Sequence, residues 1–159
     1  MPQKIDKTLI GPAGEHLVLS RLLSAGFLAA PAPRGTRKVD ILVNFIDGGE
    51  PFMIQVKSTM TGARNGWWLS EKHEDMRQED LFYCFVDFLP AQPDVYVLPA
   101  GLVADHVKTG HANWLATPRK DGGRHKDVPA RRIDNKAQWD RRPEGWMSEF
   151  KERWDFFSR

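Results

Sequence analysis

The sequence contains a single cysteine, Cys84, among its 159 residues. One cysteine excludes a disulfide framework and a cysteine-rich zinc site, and such usage is typical of a reducing compartment. No apolar run approaches the roughly 18 residues that a membrane-spanning helix needs, and the first seven residues lack the apolar segment of a secretion signal. We therefore expect a cytoplasmic protein without a membrane partner, and the length suffices for a single domain, 1–159, with its own core.

The chain also lacks a strong excess of charge, since its formal net charge is +2. The positive charge is concentrated, because residues 118–142 contain nine Lys or Arg against four Asp, a net +5 that leaves −3 for the remainder. Such a segment could follow a phosphate backbone, or it could be a solvated loop. The composition favours neither interpretation over the other.

Two short apolar runs, 39–45 and 52–58, flank Gly48-Gly49. This dipeptide suits a two-residue hairpin loop, because both central residues of such a turn take positive φ. The register that follows pairs Phe45 with Phe52, Val43 with Ile54 and Ile41 with Val56 on one apolar face. It places Asp40 opposite Lys57 and Leu42 opposite Gln55 on the other face. A carboxylate, an amide and an ammonium then share one face, as metal-assisted phosphodiester chemistry requires.

A helix over 11–25 is predicted before this hairpin, ending at Gly26. Glu15 projects near the middle of its apolar stripe, where a solvated acid would not be placed. It could be a favourable acid in the first helical turn, or a carboxylate aimed into a cleft. We favour the cleft, because a second element that bears an acid is available to meet it.

The remaining pattern predicts a mixed sheet flanked by helices, in the α/β or α+β class. A short strand over 27–30 precedes the hairpin. After the hairpin come a strand over 66–69, a short helix over 71–78 capped by Ser70, buried strands over 81–89 and 94–98, a helix over 102–108, and a helix that begins at Pro143. This last helix carries Trp146, Met147, Phe150, Trp154 and Phe157 on one face.

Glu15, Asp40 and the Gln55-Val56-Lys57 tripeptide together resemble the PD-(D/E)XK superfamily of phosphodiesterases, which includes restriction enzymes, Holliday-junction resolvases and Mrr-type nucleases. In this resemblance Asp40 stands at the first acid of the motif, Gln55 at its Asp/Glu position, Lys57 at its lysine, and Glu15 at a helix-borne Glu of several branches. The resemblance implies a restriction-endonuclease-like α/β core in αβββαβ order over about 8–98. Beyond residue 98 the resemblance is silent, and the sequence pattern predicts a basic and helical C-terminal extension over 99–159.

The resemblance also implies the chemistry of the site. Mg²⁺ or Mn²⁺ would be held by Glu15, Asp40, the Gln55 side-chain oxygen and the Val56 carbonyl. Lys57 would orient the attacking water and stabilise the developing charge. Gln55 departs from the family pattern, since an amide oxygen is a weaker ligand than a carboxylate for a hard cation. Mrr-like branches also carry Gln-x-Lys.

The function expected from these residues is a metal-dependent endonuclease that acts on DNA in preference to RNA. An alternative is a catalytically weak or inactive nucleic-acid-binding module on the same fold, and a third is a small interaction subunit with an aromatic surface. By analogy alone, the resemblance also allows a homodimer. Further contacts to phosphate are expected from Arg34, Arg37, Lys38, Ser58, Thr59, Lys72 and His73, and from Arg119, Lys120 and Arg124 in the basic segment.

Overall fold

A mixed sheet of five strands forms the centre of the computed structural model, which describes residues 5–157. The α-helices are α1 (Ile10–Ser24) and α2 (Ala100–Ala116). The strands are β1 (Leu28–Pro31), β2 (Ile41–Asn44), β3 (Phe52–Thr59), β4 (Trp67–Ser70), β5 (Leu81–Asp87), β6 (Asp94–Pro99) and β7 (Ala130–Ile133). Single 3₁₀ turns cover Lys7–Leu9, Glu71–Asp75, Trp146–Phe150 and Trp154–Phe157.

The central sheet has the strand order β1-β2-β3-β5-β6. Its first three strands are antiparallel, β3 runs parallel to β5, and β6 returns antiparallel. A second sheet contains only β4 and β7. This arrangement confirms the predicted class of a mixed sheet flanked by helices.

The two faces of the central sheet are covered by different elements. Strand β5 is almost wholly buried, and its side chains alternate between two apolar clusters. Tyr83 and Phe85 pack with α2 and with the second sheet, whereas Cys84 and Val86 pack with α1. A short continuous apolar run such as 81–86 is what a strand covered on both faces needs.

The hairpin between β2 and β3 differs from its predicted register. Ile41 pairs with Ile54 and Val43 with Phe52, a shift of two residues from the expected partners. Because side chains alternate with a period of two, this shift keeps the same apolar face, so the hydrophobic pattern could not distinguish the two registers. The connecting loop is also longer than a two-residue turn, since β2 ends at Asn44 and β3 begins at Phe52. A hydrogen bond from Gly48 N to Phe45 O (3.2 Å) forms a turn within this loop.

The predicted helix over 71–78 is also absent from the described chain. Its place is taken by the 3₁₀ turn Glu71–Asp75, so no α-helix lies between β3 and β5 as the αβββαβ order requires. Ser70 makes no side-chain cap, since it is the last residue of β4 and pairs with Ala130. Glu71 N donates instead to Pro129 O (2.8 Å), which extends the strand contact rather than starting a helix.

The C-terminal segment is less helical than expected. Two 3₁₀ turns replace the predicted helix from Pro143, because Gly145 and Glu152 take positive φ of 85° and 53° and interrupt regular helix. Trp146 and Phe157 are still buried, Phe150 and Trp154 are half-buried, and Phe157 stacks on Phe52 with ring centroids 4.2 Å apart. Helix α2 is longer than the predicted 102–108. No helix among residues 5–157 is long and apolar enough to cross a membrane.

Candidate active site

Asp40 lies immediately before β2, where its backbone still pairs with β3. Its N–H donates to Ile54 O at 2.8 Å. Its carboxylate Oδ2 accepts two hydrogen bonds, from Val56 N at 2.7 Å and from Gln55 Nε2 at 2.8 Å. The shifted register thus gives Asp40 the amide of Gln55 as its partner. The predicted register placed Asp40 opposite Lys57, and no ion pair joins these two residues in the described part of the chain.

Glu15 reaches the same region from α1, and Gly14 is the reason that α1 can approach so closely. The Cβ that another residue would carry at Gly14 would lie only 1.9 Å from Ser58 Oγ. Helix α1 therefore packs directly against β3 at this glycine. Glu15, the next residue, lines a pocket of about 270 Å³ together with Asp40 and Arg34.

The Glu15 carboxylate is influenced by its surroundings in this pocket. Partial burial raises the pKa of Glu15, and the nearby charge of Asp40 raises it further. The charges of His16 and Lys57 act in the opposite direction. The prediction that the helical acid meets the acid of the hairpin is therefore consistent with the structure, which places both groups on one cleft.

Lys57 lies two residues after Gln55 on β3, and alternation places both side chains on the same face of the strand. Its charge acts on Glu15 from one side and on His73 from the other. Lys57 is partly exposed. Of the four residues singled out from the sequence, Gln55 therefore donates a hydrogen bond to Asp40, and Glu15 lies within electrostatic reach of both Asp40 and Lys57.

His73 has a different character from the phosphate-binding cation that the sequence suggested. Its Nδ1 lies 2.5 Å from the Tyr83 hydroxyl, which in turn donates to Met76 Sδ at 3.3 Å. Burial lowers the pKa of His73 to about 4, with the charges of Lys57 and Lys38 contributing. The imidazole is therefore neutral at physiological pH beside Lys57. Sequence reasoning missed Tyr83 as its partner, because nothing in an apolar run indicates which histidine a distant tyrosine will meet.

The donor set of the site suits a hard divalent cation. Asp40 Oδ1 accepts no hydrogen bond from residues 5–157, while Oδ2 is held by its two donors. The Val56 N–H is one of these two donors, which places the β3 backbone directly beside the Asp40 carboxylate. The oxygens of Glu15, Asp40 and the Gln55 side chain would be ligands of the kind that Mg²⁺ and Mn²⁺ prefer. Within the described residues, no group of three or more His, Cys, Asp or Glu side chains is arranged to hold a metal ion, so an ion at this site would also need the amide or backbone oxygens.

The other residues expected to contact phosphate fall into several groups. Arg34 lines the pocket, and Arg37, Lys38 and Lys72 are exposed. Ser58 Oγ is buried under α1 and inaccessible to a phosphate, and the Thr59 hydroxyl bonds Thr61 (3.0 Å). Arg119, Lys120 and Arg124 lie on a turn after α2 and do not line the pocket.

No protein-family model and no curated protein matches this chain in sequence. Among solved structures it is similar to a bacterial homing endonuclease, I-Ssp6803I, with a TM-score of 0.54 over 96% of this chain and 93% of that chain. The sequence identity is 13%. At that level the likeness shows a shared, nuclease-like fold, and it shows neither membership of the PD-(D/E)XK superfamily nor an activity of this chain.

Proposed function

We propose that this protein is a metal-dependent nuclease that hydrolyses phosphodiester bonds in DNA. The observation that carries the proposal is the convergence of Glu15 and Asp40 on one pocket, beside the amide of Gln55 and the ammonium of Lys57. The fold that the chain shares with a bacterial homing endonuclease supports it. A carboxylate whose pKa is raised by burial and by a second carboxylate, as that of Glu15 is by Asp40, is a typical arrangement for cation binding or for acid–base work.

Each residue has a role that follows from its position. Asp40, Glu15, Gln55 and the Val56 carbonyl would hold Mg²⁺ or Mn²⁺, which when bound would polarise a phosphate oxygen and lower the pKa of a bound water. The Lys57 ammonium lies beside these carboxylates and would stabilise negative charge that develops on the phosphate. Arg34, on the rim of the pocket, would contact the neighbouring phosphate.

The test is cleavage of plasmid, linear and branched DNA in Mn²⁺ by the wild-type protein and by Asp40→Asn and Lys57→Ala. We expect each substitution to reduce the cleavage rate at least about a hundredfold, the usual effect of losing a group that stabilises a transition state. Asp47→Asn, in the exposed hairpin loop, and Lys108→Ala, on the exposed side of α2, are the matched controls. Cleavage that persists in Asp40→Asn would place the reaction elsewhere, and RNA of the same sequence tests the choice of DNA.

A nucleic-acid-binding module without catalysis is the second candidate, and Gln55 is the observation that favours it. Gln55→Glu distinguishes the two. If the wild-type protein is a weak enzyme, the added carboxylate should strengthen metal binding in calorimetry and increase cleavage. If metal titration is silent in both proteins while DNA binding is intact and falls steeply with salt, the binding module is the better description.

A further inference from the structure

A second cleft, of about 320 Å³, opens between α2, the β4–β7 sheet and the loop 137–140, and its lining includes neither Glu15 nor Asp40. Three tryptophans contribute to its walls: Trp68 from β4, Trp114 from α2 and Trp139 from the loop. The volume is at the lower end of the range for sites that bind small ligands. Sequence reasoning did not find this cleft, because it depends on the pairing of β4 with a strand inside the basic segment.

Trp68 is the most exposed of the large aromatic side chains, with 67% of its surface accessible. The Arg132 guanidinium lies 6.0 Å from the centroid of its ring. Trp114 packs against His125, with ring centroids 4.2 Å apart and the ring planes tilted by 31°. An exposed indole beside a planar guanidinium is a surface on which flat aromatic rings stack.

The charges in the cleft are already compensated. Arg131 is paired with Glu74, Arg132 with Asp134 (3.0 Å) and Asp140 with Arg142 (3.2 Å). A phosphate would therefore find no unpaired cation there, and an ammonium ligand would find no unpaired carboxylate. A flat, neutral ligand fits this lining best.

Polar and charged side chains lie at the margin of this cleft. The exposed Gln138 side chain lines the cleft and has no hydrogen bond to any residue in 5–157, so its amide is free to meet both donor and acceptor groups. On either side of the loop, Lys136 and Arg141 are exposed and form no ion pair within the same residues. A neutral stacking surface flanked by free cations is the arrangement that single nucleotides in a strand require.

We propose that this cleft receives an unpaired nucleobase of the bound nucleic acid, stacked on Trp68, while Lys136 and Arg141 contact the adjoining phosphates. The inference rests on the proposed function in that the ligand is nucleic acid, but it does not require catalysis. On this proposal, the protein binds nucleic acid that contains a looped-out or unpaired base more tightly than it binds a uniform duplex.

The test compares two DNA hairpins, one with a single unpaired adenine in its stem and one with an abasic site at that position. Binding is measured in the Asp40→Asn background without metal, so that cleavage cannot interfere. We expect the adenine hairpin to bind about tenfold more tightly, as one stacked base contributes. Equal affinity for the two hairpins would overturn the proposal while leaving Asp40-dependent cleavage intact, and failure to bind either hairpin at low salt would overturn both.

Variants of Trp68 test whether the preference for the adenine hairpin arises in this cleft. Trp68→Ala and Trp68→Leu should remove the tenfold preference, and Trp68→Phe should retain most of it, because stacking needs an aromatic ring rather than apolar surface. The exposed position leaves the core unchanged, which circular dichroism can verify. Arg141→Gln should weaken both hairpins equally and reduce the salt slope by about one. A preference that survives in Trp68→Ala, or tight binding of a trimethyllysine peptide in this cleft, would refute the assignment.

Discussion

The contact between α1 and β3 is a sensitive point of the molecule, because it sets the position of Glu15. Gly14→Ala perturbs it by a single methyl group. The new Cβ would lie 1.9 Å from Ser58 Oγ, 3.1 Å from Ser58 Cβ and 3.5 Å from Val56 Cγ1. Contacts of carbon atoms are normally about 3.5–4.0 Å. The helix or the strand must therefore move, and Glu15 moves with the helix.

The expected magnitude combines two opposing effects. Overpacking of a well-filled contact costs about 1–3 kcal/mol. Replacing a helical glycine by alanine contributes up to about 1 kcal/mol in favour of folding. Gly14→Ala should therefore reduce the free energy of unfolding by about 1–2 kcal/mol. Gly11→Ala, in the first turn of the same helix with no atom within 4 Å of the new Cβ, should leave stability unchanged or raise it.

Ser58 provides the second half of the experiment. Its hydroxyl is buried without a hydrogen-bond partner among residues 5–157, so Ser58→Ala removes a buried polar group that costs about 1–3 kcal/mol. The single variant should be no less stable than wild type, and it should restore most of the stability lost in Gly14→Ala. Their interaction energy in a double-mutant cycle should exceed about 0.5 kcal/mol.

Urea unfolding followed by tryptophan fluorescence measures these differences, with cleavage assayed on the same samples. We expect Gly14→Ala to lower cleavage more than Gly11→Ala does. If Gly14→Ala and Gly11→Ala have the same unfolding midpoint, then α1 does not pack against β3 as closely as described, and the explanation of how Glu15 is positioned is wrong.

Two further predictions concern titration and ion pairing. Burial lowers the pKa of His73 from 6.5 to about 4, so between these pH values the unfolded chain binds a proton that the folded protein does not. The free energy of unfolding should therefore fall on acidification from about pH 6.5 to pH 4. In His73→Gln, the urea midpoint should change less over this pH range. Arg131→Ala breaks the largely buried pair with Glu74 and should lower the free energy of unfolding by about 3–5 kcal/mol. Arg64→Ala breaks the exposed pair with Glu144 and should lower it by less than about 1 kcal/mol. Equal urea midpoints for the two arginine variants would contradict the burial of Arg131.

The part of the fold that sequence reasoning could predict is the part in which local pattern is decisive. Helix α1, strand β1 and the buried strands β5 and β6 follow from apolar periodicity and from glycine or proline at their ends. The placement of Glu15 was predicted from its position in the apolar stripe. The register of the hairpin was not, because a shift by two residues leaves every side chain on the same face.

The parts that could not be predicted depend on contacts between distant segments. Strand β7 has only four residues and lies within the basic segment 118–142, where the sequence pattern predicts no strand. It forms because β4 is available to pair with it. Arg131 is buried at the centre of that strand, which no sequence pattern of charged residues would suggest. The cleft lined by Trp68 and Trp139 is a consequence of this pairing and was equally hidden.

Gln55, the departure from the expected motif, has a physical explanation in the geometry. Asp40 already raises the pKa of Glu15, so a third carboxylate beside them would add repulsion whenever no cation is bound. The Gln55 amide instead donates to Asp40 Oδ2 at 2.8 Å and, with Val56 N, fixes the carboxylate so that Oδ1 is left without a hydrogen bond among residues 5–157. The proposed site can therefore assemble before an ion arrives. The same amide is a weaker ligand than a carboxylate, so we expect a site that is well ordered without metal but requires a high metal concentration to act.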